Sequence, residues 1–284
     1  MNQPTSTPWP VVLTVAGFDP SAGAGIIADL KTFAAHNCYG VAAITALTVQ
    51  NSQGVASVHP VDPAVLRASI RSLLSDGRVK AIKIGMLSNR AIAEVIGEIL
   101  ESNPDLQAVL DPVLRSSSDY GLLDASGLDY IRQQLISRVT VLTPNLAEAA
   151  ALAGIPVDNV ESMKAAARKL VEMGARAAVV TGGHLDKAID VLFDGTTMES
   201  FAGDRVKPEN THGTGCTFSS AIAANLALGR QLRDAVVLAK AYVVEAIRQA
   251  FSTGPGRIPL NHLYRMSQPV RVTDHAPAAA EVTR

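Results

Sequence analysis

The chain has 284 residues, 48% of them hydrophobic, with 25 basic residues against 26 acidic ones. That length and apolar content allow a sizeable buried core, while so even a charge balance leaves no net field to draw the chain onto nucleic acid or an anionic membrane. A small-molecule partner is therefore expected, and two cysteines, Cys38 and Cys216, whose spacing fits neither a disulfide framework nor a zinc site, agree with a reducing cytoplasm.

The opening stretch "MNQPTSTPWP" has neither the basic start nor the apolar run of a signal peptide, and residues 1–10 read as a flexible N-terminus. Short apolar runs then alternate with longer amphipathic stretches. Strands are expected at "VVLTVAG" (11–17), "VAAITALTV" (41–49), "KAIKIGM" (80–86), "QAVLDP" (107–112), "VTVLTPN" (139–145) and "ARAAVVTGG" (175–183). Nearly all are apolar on both faces, the pattern of strands inside a parallel sheet that helices cover on each side through right-handed crossovers. The expected fold class is α/β, a three-layer α/β/α sandwich with a central, mainly parallel sheet. "IDVLFDG" (189–195) and "MESFAGDRV" (198–206), around "GTT", suggest a hairpin at one edge. Two helices finish the pattern, "GTGCTFSSAIAANLALG", whose small residues allow close packing on the sheet, and "LRDAVVLAKAYVVEAIRQAF". No linker divides the chain, so residues 11–267 are expected to form one domain, with 268–284 a flexible tail.

In open parallel sheets, ligands gather beyond the carboxyl ends of the strands. The unusual polar segments here all follow strands: "GFDPSAGAG", "TVQNS", "DPV", "TPNLAE" and "TGGH". Ahead of the penultimate helix, the glycines of "GTGC" allow a tight turn that points backbone N–H groups at one spot, where the helix dipole adds its positive end. Such a turn suits the charge of a transferring phosphoryl group; the plainer alternative is a closely packed helix start. "DPSAGAG" matches neither the P-loop nor the dinucleotide fingerprint.

Taken in order, "AGFDPSAGAGIIADLKTF", "ITALTVQNSQGV", "KIGML", "VLDPV", "TPNLAEA", "GGH" and "NTHGTGCTFSSAIAA" resemble the successive motifs of the hydroxymethylpyrimidine/phosphomethylpyrimidine kinases, thiamin-biosynthetic members of the ribokinase-like superfamily. The resemblance runs from about residue 11 to 251. It implies a kinase that uses ATP and Mg²⁺ to phosphorylate 4-amino-5-hydroxymethyl-2-methylpyrimidine and then the resulting monophosphate. Two alternatives stand beside it: a pyridoxal kinase, and a pyrimidine-binding protein without transfer. Superfamily members are often dimers, so a homodimer is a further expectation, although no stretch marks an interface.

The resemblance also distributes roles. Gly213, Thr214, Gly215 and Cys216 form the catalytic turn, with Cys216 where many sugar kinases carry aspartate. A thiol at a helix N-terminus has a lowered pKa, while incoming phosphate opposes that, so Cys216 is either a base or a group that orients the substrate. Gln50 carries an amide able to meet the adjacent donor and acceptor of an aminopyrimidine, and Asp29, Gly17 and Met86 complete the substrate pocket. Asn145, Thr181, Gly183 and Thr211 fall to the nucleotide. Asp111 and Glu148 are the expected metal carboxylates, against the alternatives of a rim charge or a helix-start acid. Thr181 stands where many relatives have lysine, and Arg115, in a Ser-rich loop, is a candidate for compensating charge. Asp19 is expected to form a turn or cap, and His184 and His212 to bond backbone groups.

Overall fold

The first strand, β1 (Val11–Phe18), is buried along nearly its whole length, and this fixes it in the middle of a sheet. Ten further strands follow in the computed structural model, which describes residues 9–183, 188–203, 205–208 and 210–266. They are β2 (Tyr39–Asn51), β3 (Gly54–Pro60), β4 (Val79–Ile84), β5 (Gln107–Leu110), β6 (Val141–Leu142), β7 (Ala177–Gly182), β8 (Ala188–Phe193), β9 (Met198–Gly203), β10 (Thr211–His212) and β11 (Ile258–Pro259). Nine of the eleven strands, β1 among them, form one sheet in the order β3-β2-β1-β4-β5-β6-β7-β8-β9. The six strands from β2 to β7 run parallel, and antiparallel strands close both edges.

Among the described residues, eight α-helices connect the strands: α1 (Gly25–Ala35), α2 (Pro63–Ser75), α3 (Arg90–Ser102), α4 (Ala125–Tyr130), α5 (Leu146–Ala153), α6 (Val160–Glu172), α7 (Thr214–Ala227) and α8 (Leu232–Arg248). Because side chains alternate across a strand, Leu13 and Val15 face one way and Val12 the other. Leu13, Val15, Ile82, Ile84 and Leu110 join one core with Ile70 of α2, Ile96 of α3 and Leu170 of α6. Val12, Ala81, Val109, Val141 and Val179 join a second core with Phe33 of α1, Ile222 of α7 and Tyr242 of α8. The result is the expected three-layer sandwich.

The hairpin expected at one edge is β8–β9. The opposite edge also carries one, β2–β3, which the sequence reading lacked: β3 is only half-buried and mixes polar with apolar residues, so it has no clean alternation. Strands β5 and β6 are shorter than expected, which leaves Asp111 and the Thr143–Asn145 stretch as loop beyond the strand ends. Residues 1–8, the tail expected at 268–284 and His184 lie outside the described residues. Among the described residues, no helix is long and apolar enough to cross a membrane.

Candidate active site

At the carboxyl ends of the parallel strands opens a cavity of about 1160 Å³. Its lining includes Gly17, Gln50 and Met86, then Asp111, Asn145, Glu148, Thr181 and Gly183, and also Thr211, Gly213, Thr214, Gly215 and Cys216. All the residues expected at the site therefore meet at one cavity, with the exception of Asp29.

The turn before α7 owes its shape to Gly213, which has φ +87°; a Cβ there would collide with the Gly23 carbonyl. The first helical bond of α7 runs from the Thr217 N–H to the Gly213 carbonyl. The N–H groups of Thr214, Gly215 and Cys216 precede it, so no intrahelical acceptor claims them. Small residues then let α7 lie against the sheet, with Ala221, Ile222, Ala223 and Ala224 fully buried.

Asp29 is corrected by the structure. It is fully buried and does not line the cavity; its carboxylate accepts from Thr14 Oγ1 at 2.6 Å, Ser220 Oγ at 2.7 Å and Lys83 Nζ at 3.0 Å. Three polar neighbours in a dry interior leave it no free edge to offer a substrate. Its partner Lys83 is the residue the sequence reading passed over. Also fully buried, Lys83 Nζ lies 3.9 Å from Asp111 Oδ2, which Ser219 Oγ reaches at 3.3 Å. Burial pulls the lysine pKa down, yet Asp29, Cys216 and Asp111 overcome that and hold it above its ordinary value. The signal was legible: Lys83, flanked by isoleucines inside the strand "KAIKI", must be paired if that strand is central, whereas Lys80 lies near its exposed start.

Cys216 departs from the expected lowered pKa. Burial pushes the thiol up, and the carboxylates of Asp111 and Asp29 add to that, against the opposing pull of Lys83. The thiol is thus protonated at neutral pH, because desolvation outweighs the helix N-terminus. Asp111 is likewise raised, first by burial. Glu148 is raised to about 8, by burial and then by Asp111. Its carboxylate accepts from the Asn145 N–H at 2.9 Å while Asn145 Oδ1 accepts from the Glu148 N–H at 3.0 Å. This capping box starts α5, so Asn145 serves the helix as well as lining the cavity.

Thr181 pairs across the sheet with Asp190, whose carboxylate is held by Lys240 Nζ at 2.6 Å. Arg115 does line the cavity, but its guanidinium is bound 2.8 Å from Asp119 within the same small hairpin, closed by the Leu122 N–H to Leu114 carbonyl bond. Its charge is already matched. Asp19 behaves as a turn residue, accepting from Ser21 and from the Ala24 N–H at 2.9 Å. His212 does not bond backbone through its ring: it meets Gln50, Asp19 and Ser117 instead. From α8, Val243, Val244 and Ile247 add an apolar wall to the cavity.

A doubly covered parallel sheet with a glycine turn, a thiol and paired carboxylates at its carboxyl end is the arrangement of a ribokinase-like small-molecule kinase. The family model described as phosphomethylpyrimidine kinase matches residues 19–261. The hydroxymethylpyrimidine/phosphomethylpyrimidine kinase of Aquifex aeolicus is 41% identical over 248 residues, 87% of this chain and 97% of that protein. A thiamine biosynthesis bifunctional protein of Geobacter sulfurreducens is 40% identical over 92% of this chain, which spans 54% of that longer protein. Among solved structures, the ADP complex of Bacillus subtilis pyridoxal kinase superposes with a TM-score of 0.82 at 36% identity, over 90% of this chain and 98% of that one. A phosphomethylpyrimidine kinase from Clostridium difficile gives 0.75 at 38% identity, over 84% and 99%. This chain belongs to the phosphomethylpyrimidine kinase family.

Proposed function

We propose that the protein transfers the γ-phosphoryl group of ATP to the hydroxymethyl oxygen of 4-amino-5-hydroxymethyl-2-methylpyrimidine, and then to the resulting monophosphate, in thiamin biosynthesis. The observation that carries this reading is that one cavity is lined together by an amide and a thioether, Gln50 and Met86, by two buried carboxylates, Asp111 and Glu148, and by the residues that start α7. Gln50 reads the ring's donor and acceptor edge, with Gly17 and Met86 against its faces. The migrating PO₃ unit gathers the N–H groups of Thr214, Gly215 and Cys216, which stabilise its equatorial oxygens as the bond to the leaving oxygen lengthens. Asn145, Thr181, Gly183 and Thr211 surround the nucleotide, and the apolar residues of α8 give its base a surface.

Asp111 and Glu148 fit Mg²⁺. Asp111 disfavours the ionisation of Glu148 in a dry setting, and a divalent cation held by the two would remove that conflict. Two carboxylates with phosphate oxygens and water suit this ion, and among the described residues no group of three or more acids, histidines or cysteines forms a cage. When bound, the ion supplies neutralising charge. Cys216, protonated at rest, orients the accepting hydroxyl by hydrogen bonding; in a loose transition state that oxygen need not lose its proton early.

The test is ADP release measured with and without the aminopyrimidine. Release that depends on it is expected, and its absence overturns the reading. A second reading, phosphorylation of pyridoxal, is favoured by the superposition on a pyridoxal kinase, and initial rates on both acceptors at equal ATP and Mg²⁺ rank the two.

A further inference from the structure

His212 immediately precedes the catalytic turn, and its ring touches three separate segments of the chain. Nε2 lies 3.0 Å from Asp19 Oδ2, in the turn after β1, and 3.0 Å from the end of the Gln50 amide, at the tip of β2. Nδ1 lies 2.8 Å from Ser117 Oγ, in the hairpin that Arg115 and Gly121 form over the cavity. The ring also lies flush on Gly23, where a Cβ would come within 2.6 Å of Cδ2. Its backbone is pinned from behind, since His212 pairs with Pro259 in the small β10–β11 sheet.

Hydrogen-bond accounting fixes which ring nitrogen faces Asp19 as a donor. Asp19 is a carboxylate: burial opposes its charge, but bonds from His212 and Ser21 hold its pKa below the ordinary value. A carboxylate only accepts, so Nε2 carries a proton toward Asp19, while Nδ1 pairs with the Ser117 hydroxyl. With its NH₂ toward the ring, the Gln50 amide would face a donor, and Thr48 Oγ1, whose one proton goes to the Phe18 carbonyl at 2.9 Å, would face the amide oxygen at 3.4 Å. Turned by 180°, the amide oxygen shares the Nε2–H with Asp19 and the NH₂ donates to Thr48 Oγ1, so no donor faces a donor.

We infer that His212 is a positioning residue for acceptor recognition: it holds the Gln50 amide so that an N–H points at a hydrogen-bond acceptor on the ring, and it ties that choice to the Ser117 hairpin above. The inference rests on the assignment of Gln50 to the acceptor substrate.

The two ring nitrogens separate by substitution, because the amide of asparagine reaches about as far as Nδ1 and that of glutamine about as far as Nε2. We expect His212→Gln, which keeps a donor for Asp19 and Gln50, to raise KM for the aminopyrimidine no more than about threefold. His212→Asn, which loses that donor, should raise it about tenfold or more, the loss of one or two hydrogen bonds. KM for ATP should change less than about twofold in both. In a double-mutant cycle, Gln50→Ala should remove most of the His212→Asn effect. Equal losses in the Asn and Gln variants, a matching rise in KM for ATP, or additive effects with Gln50→Ala would each overturn the inference. If His212→Asn does not fold, Asp19→Asn replaces it; the same acceptor-selective rise is expected, and an unchanged acceptor KM overturns the inference. Wild-type turnover of the aminopyrimidine is measured alongside, so failure of the functional reading itself is seen separately.

Discussion

Cys216 and Glu148 show how burial sets the chemistry that a residue type only suggests. Desolvation beside Asp111 and Asp29 holds the Cys216 thiol protonated, and in the proposed reaction it acts through a hydrogen bond to the accepting oxygen. We expect Cys216→Ala to lose on the order of 10²-fold in turnover, and Cys216→Ser, which keeps an O–H in place, to lose clearly less. Equal losses in steady-state assays would instead indicate a proton-accepting sulfur. Glu148 gives a stability prediction whose sign is fixed by linkage. Its folded pKa of about 8 lies above the ordinary 4.5, so between those values the unfolded chain has released a proton that the folded chain keeps. Stability therefore falls as pH rises across that window. Glu148→Gln keeps the capping geometry without the charge, so it should raise the melting temperature of the ligand-free protein above pH 8 and leave it unchanged near pH 4.5, while turnover falls. A thermal melt at the two pH values decides.

Elements meet at this site through charge as much as through apolar packing. Asp29 of α1, Lys83 of β4, Asp111 beyond β5 and Ser219 and Ser220 of α7 form one buried polar knot under the cavity floor. Lys83→Met removes the only cation in that knot and leaves two carboxylates without a charge partner, a change expected to cost about 3 to 5 kcal/mol in denaturant unfolding. A cost near zero would mean the carboxylates take up protons freely. The two glycine turns form a second joint. Gly213 and Gly25 have left-handed φ, and a Cβ at either would strike backbone, the Gly23 carbonyl in one case and the Gly17 carbonyl in the other. Gly213→Ala must therefore push the turn before α7 away from the turn after β1. We expect turnover to fall by about 10²-fold, the size of effect seen when an oxyanion donor is lost, with circular dichroism unchanged.

The sheet as a whole explains what could be read ahead of the structure. Strands β1, β4 and β7 announce themselves because most of their residues are buried on both faces, and the fully buried polar residues in them, Lys83 and Thr14, both answer to Asp29. Every candidate that follows a strand end reached the cavity, since parallel topology brings those ends together. Asp29 lay a full turn into α1 rather than at a strand end, and that displacement puts it beneath the floor. Edge strand β3 and the partners of His212 depend on long-range contact and leave no local pattern. The same geometry bears on unfolding. Residues 12 and 13 of one strand enter opposite cores, as do 108 and 109, so neither layer of helices can leave without exposing the sheet that the other needs. One cooperative transition is expected in calorimetry, moved upward intact by Mg²⁺ and ADP, with about 2.7 kcal/mol gained at a hundredfold excess over Kd. Because the ligand would bridge loops from both halves of the sheet, two separate transitions, or a shift in only part of the melt, would show that the halves fold independently.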